Sequence, residues 1–65
     1  MAKIYRGWIH GQQEDADVLR ELGVKLGPWE DQLQAWTPCD VSPAVLNLLD
    51  RMWGRFIWGF AVVEA

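Results

Sequence analysis

One cysteine and one histidine in a chain of 65 residues remove the two staples that most often hold so small a domain together, an internal disulfide and an all-Cys/His zinc site. Packing has to carry the fold. Five tryptophans supply it in large units, since each ring can bury roughly 150 to 250 Å². A chain of this length buries only about 60% of the surface its unfolded form exposes, which leaves little room for both a core and a deep catalytic cleft. The expectation is one domain over residues 1–65 that is not an enzyme and carries no cofactor and no metal.

Five segments emerge between the glycines and prolines, with no repeat, linker or low-complexity tract. Lys3 to His10 (KIYRGWIH) is rich in β-branched and aromatic residues and reads as a strand. Glu14 to Leu22 opens with acids, spaces Val18, Leu19 and Leu22 as a helix does, and stops at Gly23, a suitable left-handed C′ residue. Asp31 to Thr37 alternates Leu33, Ala35 and Thr37 against Gln32, Gln34 and Trp36, the period of a half-buried strand that Pro38 ends. Ser42 and Pro43 form an N-cap and first helical residue, and the helix is expected to run to about Trp53, with Val41, Val45, Leu48, Leu49 and Met52 as its apolar stripe and Gly54 closing it. Phe56 to Glu64 is apolar on both sides, which suits a central strand. The fold class is therefore α/β in the broad α+β sense, a small two-layer β-α-β-α-β domain with a three-stranded sheet and two helices on one face. The uncovered face would then show some of Trp8, Trp36 and Trp58, either as a contact surface or, if loops fold over it, as further core.

The most apolar stretch, Phe56 to Val63, is too short to span a bilayer, and the first residues lack the apolar run of a signal peptide. A cytoplasmic protein with no membrane partner is expected, and the unpaired thiol of Cys39 fits a reducing compartment.

The formal charge of −3 hides an asymmetry. Between residues 12 and 50 stand Glu14, Asp15, Asp17, Glu21, Glu30, Asp31, Asp40 and Asp50 against only Arg20 and Lys25, while both ends of the chain are basic. Glu14, Asp15 and Asp17 could serve only the positive end of a helix, worth some 0.3 to 1 kcal/mol each, and Glu21 has Lys25 four residues on. Glu30 and Asp31 have no such local account. An acidic face that recognises a basic partner is the alternative to mere solvation.

Catalytic motifs are missing. Cys39 and His10 are isolated on different elements, Asp15, Asp17, Glu30 and Asp31 have no apolar pocket to split their pKa values, and the glycines match neither phosphate-loop spacing. Direct nucleic-acid binding, which aromatic rings invite, lacks the array of Lys and Arg that phosphates require.

What remains is a rigid acidic binding protein, expected to be monomeric. Glu14, Asp15, Asp17, Glu21, Glu30 and Asp31 would pair with Lys and Arg of a basic nucleic-acid-binding protein, with Trp29 as a desolvated anchor beside them or as a ring capping the core. In its size, its acidic middle (QQEDADVLRE, PWEDQ) and its closing FIWGFAVVEA, the chain resembles the small acidic anti-defence proteins of bacteriophages, especially anti-CRISPR proteins acting on type I effector complexes. The resemblance implies a DNA mimic that works in the cytoplasm of a bacterial host by blocking the protospacer-adjacent-motif or DNA-binding surface of a CRISPR effector subunit, without catalysis. It implies no role for any single residue. The competing expectation is a structural or assembly protein that self-associates or docks through an aromatic sheet face.

Overall fold

The computed structural model describes residues 3–64 and contains four strands rather than three. β1 (Lys3–His10) is followed by a 3₁₀ turn (Gln13–Asp15) that runs into α1 (Ala16–Leu22). A two-residue strand β2 (Trp29–Glu30), then β3 (Ala35–Val41), α2 (Pro43–Asp50) and β4 (Ile57–Glu64) complete the chain. The strands form one antiparallel sheet in the order β2-β3-β1-β4, the connectivity of the split β-α-β-β-α-β motif. The α+β class holds; the missing strand is β2.

The local signals at the helix ends act as their chemistry dictates. Gly23 caps α1 in the left-handed region at φ 105°, and its N–H and that of Val24 donate to the carbonyls of Arg20 and Leu19. Ser42 Oγ accepts from the Val45 N–H at 3.3 Å, with Pro43 at the first position of α2. That helix ends at Asp50, short of Trp53, and Gly54 at φ 106° belongs to the turn beyond it. Because of this register Leu48 is 39% exposed, and the stripe of α2 that faces the sheet is Val45, Leu46, Leu49 and Met52.

The segment expected as a strand over Asp31 to Thr37 is half turn. Residues 31–34 form the β2–β3 hairpin loop, where Gln34 takes a left-handed φ of 53° and its amide donates to the Asp31 carbonyl at 2.7 Å. Leu33 is thus exposed at a loop tip, while Ala35 and Trp36 are both buried. Pro38 lies inside β3 instead of ending it. The register with β1 shifts there, so that Thr37 and Pro38 stand against Trp8 alone, a bulge in which a residue without an N–H forfeits no ladder bond.

Ile9, Trp36, Cys39 and Val41 from the sheet meet Leu19, Val24, Leu49 and Phe56 in a single core. Both helices therefore cover one side of the sheet, as expected of two layers. β4, apolar on both sides, is an edge strand and not a central one, because β1 and β3 take the middle positions.

Candidate functional site

Seven residues of α1 and its leading turn sort the acids. Val18, Leu19 and Leu22 pack inward, so Glu14, Asp17 and Glu21, at helical spacing of three and four, share the exposed side. Glu30 and Asp31 are exposed where the β2–β3 hairpin turns. Three carboxylates are already engaged: Asp15 with Arg55 at 3.1 Å, Asp17 with Arg20 at 3.1 Å, and Asp40 with Arg6 at 2.7 Å. Among the described residues, Glu14, Glu21, Glu30 and Asp31 make no ion pair, which leaves four of the six expected contact acids unneutralised. Asp15 plays a different part. Only 21% of its side chain is exposed, and it ties the start of α1 to the turn before β4, forty positions on.

Trp29 is half-buried edge-to-face against Trp36, with ring centroids 4.7 Å apart, and its indole N–H points to Asp31 Oδ1 at 3.4 Å. It closes the end of the core while holding the hairpin carboxylate beside it.

The second surface is the side of the sheet that carries no helix. Arg6 on β1 faces Asp40 on β3 across that side, and the guanidinium fork donates from Nε and Nη2 to the two carboxylate oxygens at 2.7 and 3.1 Å. The fork's hydrogen bonds hold the Asp40 carboxyl below its ordinary range and raise the Arg6 pKa in turn. Beside this pair Trp8 lies across Gly59, so near that a Cβ at residue 59 would stand 2.6 Å from the indole. His10 packs edge-on to Trp8 at 4.9 Å. Trp8 remains 39% exposed and Ile57 45%. Of the three rings expected here only Trp8 is present, because Trp36 and Trp58 turn toward the helices, packed in or against the core. The Trp58 indole N–H is buried there with no acceptor.

An open cavity of about 250 Å³ borders Arg6, Lys25 and Asp40. Cys39 and His10 sit on opposite sides of the sheet, the thiol buried and donating to the Trp36 carbonyl at 3.4 Å, and burial raises its pKa. No group of three metal-ligating side chains gathers among the described residues. No helix is long and apolar enough to cross a membrane. The chain matches no family model, no curated protein and no solved structure.

Sequence reasoning missed two features. The Arg6–Asp40 and Asp15–Arg55 pairs join residues 34 and 40 apart, and no local pattern announces them. The open face was within reach, because the alternation of Arg6 and Trp8 against Gly7 and Ile9 already separates two sides of β1.

Proposed function

We propose that this chain is a non-enzymatic acidic binding protein that inhibits a nucleic-acid-binding partner by occupying its basic DNA-binding surface, as an anti-CRISPR DNA mimic would. The observation that carries the reading is the set Glu14, Glu21, Glu30 and Asp31, exposed and without an internal cation among the described residues. With Asp17 between them, Glu14 and Glu21 span roughly 10 Å along the helix in steps of about 5 Å. That is of the same order as the 3.4 Å axial repeat of phosphates on one DNA strand, so a groove lined with Lys and Arg would meet a comparable line of charge. Trp29 holds Asp31 in place and supplies a rigid apolar neighbour.

The test uses a purified type I CRISPR effector complex and a duplex carrying its recognition sequence. Binding should be displaced by the duplex, and replacing Glu14, Glu21, Glu30 and Asp31 with Lys should weaken it at least about tenfold and flatten its salt dependence. Binding that neither duplex nor charge reversal disturbs would refute the reading. Asp15 is the internal control, because Asp15→Asn removes a structural pair rather than a contact.

The exposure of Trp8 and Ile57 on the open sheet face favours a second reading, an assembly module that docks there. Its signature is loss of docking on Trp8→Ala with no response to salt. Trp36→Ala is unsuitable for that purpose, since Trp36 is core.

A further inference from the structure

We infer that β4 is the pairing edge of a symmetric dimer, its occupant the β4 strand of a second copy of this chain. β4 pairs with β1 on one side only, and the other edge presents a row of backbone N–H and C=O groups along eight residues, roughly 26 Å. Edge strands are normally protected by a Lys, a Pro or a bulge. This one has none of them. Ile57 to Val63 holds no charge and no proline, and its pairing with β1 runs without a register shift.

The strand is also complementary to itself. Opposed residues of an antiparallel pair share a side of the sheet, and sides alternate with each residue, so a two-fold axis must fall on a residue and not between two. Centred on Phe60, it sets Phe60 against Phe60 and Trp58 against Val62 on the helix side, with Ile57 against Val63 and Gly59 against Ala61 on the open side. Every facing pair is apolar and no like charges meet. Centred one residue later, the axis would bring Glu64 against Trp58.

The exposure pattern fits this occupant. Val62 is 52% exposed although it follows Trp58 and Phe60 on the side that faces the helices, and Trp53, 57% exposed, stands edge-to-face with Trp58 at 5.6 Å. A second strand would cover that row. β2, with the acidic hairpin, forms the opposite edge, so the dimer contact is independent of the acidic face.

The experiment is sedimentation equilibrium from about 1 to 500 µM, with amide hydrogen exchange at both ends of that range. The expected mass rises from 7.5 kDa toward twice that value, and alternate amides of β4 gain protection only at the high concentration. Val62→Lys, at a half-exposed site that folding tolerates, installs the missing edge lysine and should weaken dimerisation at least about tenfold. The change moves the net charge from −3 to −2, so weaker association could not come from greater mutual repulsion. Glu30→Lys should leave the dimer intact. A monomer at every concentration would overturn the proposal. So would a dimer that survives Val62→Lys, or one abolished by Trp8→Lys, which would place the contact on the open face.

Discussion

Two consecutive residues, Phe56 and Ile57, allow the one-sidedness of the sheet to be measured. Phe56 is fully buried at the heart of the core and Ile57, the next residue, is 45% exposed on the side without helices. Phe56→Ala removes a buried ring and leaves a cavity, a change that costs about 3 to 5 kcal/mol. Ile57→Ala gives up only the covered half of a side chain whose complete burial is worth about 1.5 to 3 kcal/mol, and water fills the space, so its cost should be near 1 kcal/mol. A domain of this length has a total stability of roughly 3 to 10 kcal/mol. Urea unfolding followed by tryptophan fluorescence, at a slope of about 1 kcal/mol/M, should therefore show a midpoint several molar lower for the first variant and about 1 M lower for the second. Should Phe56→Ala leave nothing folded, Phe56→Leu, expected to cost below about 1.5 kcal/mol, restores the comparison. Equal costs for Phe56→Ala and Ile57→Ala would refute the reasoning, because they would mean that the open face is packed as deeply as the core.

Further outcomes are expected elsewhere. The Asp40 carboxyl, held down by the hydrogen bonds from Arg6, should titrate below the usual value near 4 in a carbon-detected NMR series. Because its folded pKa is depressed, its contribution to stability is complete above the ordinary carboxylate range and disappears as pH falls through the lowered value; Arg6→Met should return the midpoint toward 4 and abolish that acid-side loss. Trp58→Phe deletes a buried N–H that has no acceptor, so thermal unfolding should shift less than for Trp36→Phe, whose ring lies deeper in the core. Gly7→Ala should prevent folding, since a Cβ there would stand 1.8 Å from the Gly59 carbonyl oxygen, and circular dichroism would reveal the loss. Alkylation of Cys39 by iodoacetamide should proceed only as fast as the core opens, because the thiol is buried and its pKa is raised.

Elements whose information is local were legible in the sequence. β1 runs from Lys3 to His10 as its composition implies, and Gly23, Ser42 and Pro43 cap their helices through bonds to residues three or four positions away. Sheet order was not legible. Whether an apolar strand such as β4 lies at the centre or the edge depends on what pairs beside it, and that choice is made by residues fifty positions distant. Pro38 misled for a related reason, since a bulge on the partner strand makes room for it. For the site, the exposed acids of α1 followed from helical spacing, whereas the engagement of Asp15 with Arg55 required the folded chain.

The pairing of the first strand with the last has a mechanical consequence. β1 and β4 run antiparallel with Lys3 opposite Glu64, so the two ends of the described chain lie side by side. Tension applied across them loads the inter-strand hydrogen bonds one after another, like the teeth of a zip, and not all at once as in shear. β4 also has a neighbouring strand on one side only. A protein-unfolding machine that grips either end would meet its weakest seam first, and once β4 has peeled away, β1 and the core beneath it are open along one whole edge.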